Sequence, residues 1–364
     1  MAVLVGLDEA GYGPHLGPLV VAAAAVRIPD DLPPDPNLWP RLSAHVRAVP
    51  EHRRPRTRPG TPSSNPTDEP PDTRVLICDS KQAYAARNPA PLERAVLGFL
   101  AAMERRPRAL GDLLEQTGAA ENEPFAPLHA VEASAPWHRP AALALPVWAS
   151  QGEVASAAHH LRTGFADLGG RPEALRLNIA PAARFNNLIA RTGNKASALF
   201  ILASEILTDL ARRWPGEAVH VTMDRHGGRR YYGDLLAQAF PLWQVTTLEE
   251  GPEVSRYRIR RGGPPAPAGP TAGGSDDAGS GRGAMLLAVH KKAETVSLLV
   301  ALASMAAKYV RELYMRQLNR YFQALVPGLR PTAGYGRDAW RFLDEVAETC
   351  KARGLSKSAL LRNR

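Results

Sequence analysis

The chain is poor in cysteine: Cys78 and Cys350 are the only two among 364 residues. Two thiols build neither a disulfide framework nor a cysteine-based zinc site. Long apolar runs are also missing. None reaches the ~18 residues that a membrane-crossing helix requires, and the first residues lack a basic stretch followed by a long apolar one. Aromatic residues make up only 6%, and the adjacent acids Asp8 and Glu9 have few rings around them, which argues against a glycosidase built on paired carboxylates. These absences predict a soluble, cytoplasmic protein in a reducing setting, with no membrane partner.

What is present points to a folded domain with a polyanionic partner. Hydrophobic residues reach 45%, enough for a substantial core, and Lys+Arg exceed Asp+Glu by 45 to 36, giving +9. A positive balance suits nucleic acid. The 33 prolines and 30 glycines gather in linkers. One Pro-rich stretch, residues 30–72, is predicted to be a flexible insertion, with a short helix over 38–49 inside it. A Gly/Pro/Ala/Ser tract over 262–283 is predicted to be disordered. Residues 353–364 form a basic tail. Between these, residues 1–352 read as one interrupted catalytic domain, predicted to be monomeric.

Hydrophobic periodicity predicts strands over 2–8, 16–28, 174–179 and 218–224, with further strands over 242–247, 254–260 and 285–290 as an extension of the sheet. Helices are predicted over 91–105, 152–168, 194–214, 233–240, 294–322 and 338–352. Strands interleaved with helices in this order give an α/β (α+β) fold.

The chemistry-bearing stretch is the first one. The apolar run ending at Leu7 stops at Asp8 and Glu9, and Gly11-Tyr12-Gly13-Pro14 follows. Glycines there let backbone N–H groups approach a phosphate or sugar closely. A second strand ends on Asp224, and Glu312 lies on a helix four residues after Lys308. Taken singly, Asp224 reads as a turn acid and Glu312 as a solvated helix residue. Together, carboxylates at neighbouring strand ends supply the hard oxygen ligands of Mg²⁺ or Mn²⁺. Two such ions serve an in-line phosphodiester displacement. Asp79 and Lys81 either line the edge of such a site or cap the next helix.

Five segments, in order, resemble the ribonuclease HII family with its HIII relatives: Gly6 to Pro14 with Gly17-Pro18-Leu19; Asp79-Ser80-Lys81; Val221 to Asp224; Ala303-Ser304 to Arg311-Glu312; and Gly334-Tyr335-Gly336. The resemblance implies an RNase H-like fold, a central mixed five-stranded sheet flanked by helices, with extra strands and helices from insertions and C-terminal helices across the substrate groove. It implies a metal-dependent endonuclease acting on the RNA strand of RNA–DNA hybrids, or at ribonucleotides embedded in DNA, with two Mg²⁺ or Mn²⁺ ions. Carried over by position, Asp8, Glu9, Asp224 and Glu312 are the catalytic acids and metal ligands. Gly11, Tyr12, Gly13, Asp79, Lys81, Lys308, Arg311 and Tyr335 contact substrate.

Three positions depart from the family pattern. Tyr12 stands where the family has a cation, which removes a charge-assisted contact. Glu312 replaces Asp. Ala293-Glu294 replaces Gly-Asp, which leaves Glu294 as an outer residue supporting the ligands. These departures keep two alternatives in view: a catalytically impaired nucleic-acid-binding protein of the same fold, or a nuclease of the superfamily with another substrate.

Overall fold

The structure, a computed structural model, describes residues 1–49, 72–119, 135–138, 143–261 and 283–363. In chain order the elements begin with β1 (Ala2–Ala10), β2 (Leu19–Ile28), β3 (Val46–Arg47), β4 (Val75–Leu76), α1 (Ser80–Ala83), α2 (Ala90–Ala102) and α3 (Leu110–Gln116). Next come α4 (Gln151–Asp167), β5 (Arg171–Ala180), α5 (Ala182–Thr192), α6 (Lys195–Arg213), β6 (Ala218–Asp224) and α7 (Gly233–Ala239). Then β7 (Trp243–Glu250), β8 (Val254–Arg261), β9 (Ala284–His290), α8 (Leu298–Gln323), α9 (Gly336–Glu345), α10 (Ala347–Ala352) and α11 (Lys357–Leu360) complete it.

A mixed seven-stranded sheet, ordered β5-β2-β1-β6-β9-β8-β7, forms the centre. Strand β2 runs antiparallel to both of its neighbours, β5 and β1, while β6 and β9 run parallel to β1. These five make the expected mixed sheet flanked by helices. The β7–β8 hairpin then adds antiparallel strands at the β9 edge. Strand β9 is therefore an inner strand and not part of an extension. Its apolar run (Met285, Leu287, Val289) is buried beside β6.

Alternation along β1 assigns the two faces. Val3, Val5 and Leu7 enter a core with α6 and α7, whereas Ala2 and Leu4 enter a second core with α2, α4 and α8. Helix α8 is 26 residues long and buried on nearly every side at its start, so it lies against the sheet without a solvent face there. Gly6 explains how close it comes. A Cβ at Gly6 would stand 2.1 Å from the backbone of Leu299 and Val300. Glu93, fully buried on α2, accepts the backbone N–H groups of Val147, Trp148 and Ala149 and the Tyr309 hydroxyl. One carboxylate thus ties α2 to the 147–149 segment and α8 at a site where nothing else would satisfy those donors.

Several expectations change. Residues 39–45 form turns instead of a helix, and Leu38, Leu42 and Val46 are buried in the α2/α8 core. The segment 30–49 is thus anchored at these three apolar residues, while most of its other positions are exposed. Residues 50–71 and the tract 262–282 lie outside the described residues. The helix predicted from Glu294 starts at Leu298, capped by Ser297, and a short 3₁₀ turn over Ala293–Thr295 precedes it. The 338–352 helix is broken at Val346, a buried anchor between α9 and α10. The last residues do not trail free: Arg362 is 2% exposed and its guanidinium donates to the carbonyls of Gly11 and Pro14.

If Gly6 sets the seat of α8, Gly6→Ala should lower stability by more than about 2 kcal/mol in denaturant unfolding. A neutral result would mean that α8 rides further from the sheet.

Candidate active site

The cleft forms where β1 and β6 end side by side. Leu7 pairs with Met223 in the parallel register, so the residues that follow, Asp8 and Asp224, emerge at the same level. β1 continues to Ala10, which carries both Asp8 and Glu9 within the strand. Adjacent strand residues point to opposite faces, yet here both acids line one cleft and repel each other.

Asp8 is 8% exposed and also hydrogen-bonded to Ser304 on α8. The close seat of α8 on Gly6 puts Ser304 there, and its hydroxyl donates on to Ser80 Oγ at 3.0 Å. Asp224 is fixed from below. Its Oδ1 accepts the Ala293 N–H at 2.7 Å, presented by a turn in which Lys292 adopts φ 59°. A non-glycine residue in that region carries strain that the surrounding structure must hold. The same turn delivers Glu294 into the cleft, where its carboxyl feels the charges of Asp224 and Asp79.

The cleft wall therefore contains Asp8, Glu9, Asp224 and Glu294, together with the Gly11-Tyr12-Gly13-Pro14 turn, Asp79, Ser80, Lys81, Ser304, Lys308 and Tyr335. Burial raises all four of Asp8, Glu9, Asp224 and Glu294, and repulsion from neighbouring acids adds to it for Asp8, Glu9 and Glu294. Asp8 is pushed well above the usual carboxylate range by burial and by Glu9. Glu9 rises to about 7, through burial and then Asp224. Asp224 and Glu294 are also raised, chiefly by burial. Concentrated, unneutralised negative charge of this kind marks a functional site more often than a structural one.

Glu312 does not join this group. Its Oε2 accepts the Tyr84 hydroxyl at 2.9 Å, and its Oε1 pairs with Arg311 at 3.2 Å and Lys308 at 3.8 Å. It is a neutralised counter-ion on the flank of α8, one turn beyond Lys308. The fourth carboxylate of the cleft is Glu294. Spacing along a helix could not reveal this, because the turn before α8 is what reorients Glu294. Arg311 is also not on the cleft wall. It is 1% exposed, donates to Leu16 O and Ala333 O, and stacks at 5.2 Å beneath the Tyr335 ring. Tyr335 itself is 46% exposed. Asp79 performs both of its expected roles, capping α1 through the Lys81 N–H at 2.7 Å while lining the cleft.

Tyr12 gains a cation from elsewhere in the chain. Lys195 Nζ donates to the Tyr12 carbonyl at 2.9 Å and lies 4.8 Å from its ring centroid. The donor set of the cleft, Asp8, Glu9, Asp224 and Glu294 with Asp79 at its edge and no sulfur or imidazole, fits a hard divalent ion. Among the described residues no three His, Cys, Asp or Glu side chains stand ready at ligand spacing, so the carboxyls would draw inward on an ion.

No family model matches the sequence, and no curated protein matches it. Among solved structures, the chain is similar to the RNase HII of Archaeoglobus fulgidus in its PCNA complex, at 14% identity and TM-score 0.37, over 100% of this chain and 94% of that one. It is similar to the ribonuclease H2 of Pyrococcus horikoshii OT3 at 11% identity and TM-score 0.39, over 98% and 92%. A Bst-RNase HIII with Mn²⁺ aligns at 17% identity and TM-score 0.38, over 99% of this chain and 66% of that one. Likeness at this level assigns neither family nor activity.

The raised carboxyls have a signed consequence. In the ion-free protein, folded Glu9 holds its proton up to about pH 7 against 4.5 ordinarily, so its contribution favours the fold below pH 4.5 and is lost as pH rises through 7. Glu9→Gln should remove this part of the slope, on the order of 1–3 kcal/mol, in unfolding curves recorded from pH 4.5 to 8. Saturating Mg²⁺ or Mn²⁺ should do the same for the wild-type chain. Superimposable pH profiles of the two proteins would show that Glu9 is not repelled in the cleft.

Proposed function

We propose that this chain is a divalent-metal-dependent endonuclease that hydrolyses the RNA strand of RNA–DNA hybrids or cuts at ribonucleotides embedded in DNA. One observation carries the reading: carboxylates from three distant segments, Asp8 and Glu9, Asp224, and Glu294, converge beside a glycine turn in a chain of net charge +9. Buried acids crowded together without cations raise the free energy of the fold, and an ion is what relieves them. The order of the segments, which resembles the ribonuclease HII family, narrows the substrate to RNA paired with or embedded in DNA.

Asp8, Glu9, Asp224 and Glu294 would hold Mg²⁺ or Mn²⁺, in the two-ion form that the sequence suggests. Bound there, the metal would supply Lewis-acid stabilisation of the phosphodiester and a more acidic water. The chain's own residues do the rest. Ser304 holds Asp8, and the Ala293 N–H holds Asp224, so that both acids keep their orientation. Lys81 and Lys308 on the cleft wall attract phosphate. The backbone N–H groups around Gly11 and Gly13 face the ribose, whose 2′-OH distinguishes RNA from DNA. Tyr335 offers an exposed ring for a sugar or base, with Arg311 bracing it from beneath.

The test is a cleavage assay with three duplexes, one carrying a single ribonucleotide, one a continuous hybrid and one all DNA, in Mg²⁺ or Mn²⁺. Asp8→Asn and Glu294→Gln should each reduce the rate by about 100-fold or more, whereas Glu312→Gln should stay within about tenfold of wild type. Binding without cleavage by the wild-type chain would favour the catalytically impaired alternative. Equal loss in Glu312→Gln and none in Glu294→Gln would overturn the assignment of the fourth acid.

A further inference from the structure

A second concavity lies behind the Tyr12 turn, with a volume of about 760 Å³. Its wall is the Arg225–Tyr232 loop that follows Asp224, which the carboxylate cleft does not use. Arg229 and Arg230 line it, opposed by a single carboxylate, Asp234. Neither arginine enters an ion pair among the described residues. Arg229 Nε is buried with no hydrogen-bond partner, and among the described residues the side chain makes one bond, a 3.4 Å contact from Nη2 to Ser197 Oγ. His226, 1% exposed, also lines the cavity, and both of its ring nitrogens are unpartnered. Buried donors without partners are uncommon. Three such buried polar atoms on one wall, the Arg229 donor and the donor and acceptor nitrogens of His226, point to a ligand site.

The loop is built to hold this shape. The Tyr232 hydroxyl accepts the His226 N–H at 2.9 Å, the Tyr257 hydroxyl accepts the Tyr232 N–H at 2.9 Å, and Ser255 donates to the Arg230 carbonyl at 2.9 Å. Gly227, at φ 59°, and Gly228 have no atom within 4 Å of where a Cβ would stand. Their backbone thus faces open space, as an anion cradle requires. Guanidinium groups match phosphate geometry better than any other side chain. Tyr12 is common to the walls of this cavity and of the carboxylate cleft, so a strand leaving the cleft past Tyr12 meets the arginines next.

We propose that the cavity formed by Tyr12, His226, Gly227, Gly228, Arg229 and Arg230 is a second phosphate site, which takes a backbone phosphate of the nucleic acid on one side of the cut. The inference rests on the nuclease reading only for the direction in which the strand runs. The cavity compensates for the cation that the glycine turn lacks at Tyr12, since it places two guanidiniums immediately behind that residue.

The test measures binding without divalent ions, so that a failure of catalysis does not touch it. Arg229→Gln, with melting curves to verify its fold, should weaken affinity for a long hybrid about tenfold and reduce the slope of log Kd against log salt by about 1. Arg229→Lys should restore the slope but only part of the affinity. Hybrids trimmed on one flank or the other locate the phosphate: trimming one flank should erase the difference between wild type and Arg229→Gln, and trimming the other should leave it. An unchanged salt slope, or a difference that survives both trims, would overturn the proposal. Inorganic phosphate is the control ligand. If it stabilises the wild-type chain against melting and not Arg229→Gln, while hybrid affinity is equal in both, the cavity belongs to free phosphate and the nucleic-acid assignment falls. If binding behaves as expected but no duplex is cut, the phosphate site stands and the nuclease reading falls.

Discussion

The seating of α8 on Gly6 governs the geometry of the cleft. Any side chain at that position would meet the backbone of Leu299 and Val300 and lift the helix from the sheet. Lifted, α8 would withdraw Ser304 from Asp8 and Lys308 from the cleft wall, and the turn before it would no longer aim Glu294 inward. A missing Cβ in the middle of a core strand therefore decides chemistry at the end of that strand. The same close approach gives β2 its character. Its run of alanines, buried on both faces, leaves room for a helix that larger residues would push outward.

Against this packing stands an electrostatic cost. Four carboxyls on one cleft wall repel one another, and burial adds to the penalty. Two of the nearby cations, Arg311 and Lys308, are engaged elsewhere. Arg311 is spent on Leu16 O, Ala333 O and Glu312, and Lys308 pairs with Glu312. Glu312 thus keeps Lys308 and Arg311 from neutralising the cleft. The arrangement leaves negative charge exposed to an ion and holds the positive charge to one side, where phosphate would pass. Under the proposed function, a bound ion would offset this cost.

The glycine turn is held from outside itself. Lys195 from the start of α6 grips the Tyr12 carbonyl, and Arg362, three residues from the end, grips those of Gly11 and Pro14. Arg362 lies buried close to Arg311, and burial followed by that neighbour pulls its guanidinium down to about 9. Two buried cations tolerated side by side indicate how strongly the carbonyls of the turn are needed as acceptors. The segment 353–363 is in this sense a strap on the turn.

By itself the sequence determined the local grammar: which runs are strands, where helices start, and that Asp8, Glu9 and Asp224 sit at strand ends. Those features depend on periodicity, caps and turn residues, which act over a few positions, and the predicted α/β fold with its mixed sheet is the one observed. Tertiary structure decided what depends on contacts between distant segments. It placed β9 inside the sheet, anchored the 30–49 segment in the core through Leu38, Leu42 and Val46, and set Arg362 onto the glycine turn. It also set Glu294, and not Glu312, among the residues that line the cleft. On a helical wheel Glu312 looks available and Glu294 looks like the start of a helix. Only the turn at Lys292, the seat of α8 and the competing pull of Tyr84, Lys308 and Arg311 settle which carboxylate reaches the cleft. Each of those is a long-range packing choice that no local spacing encodes.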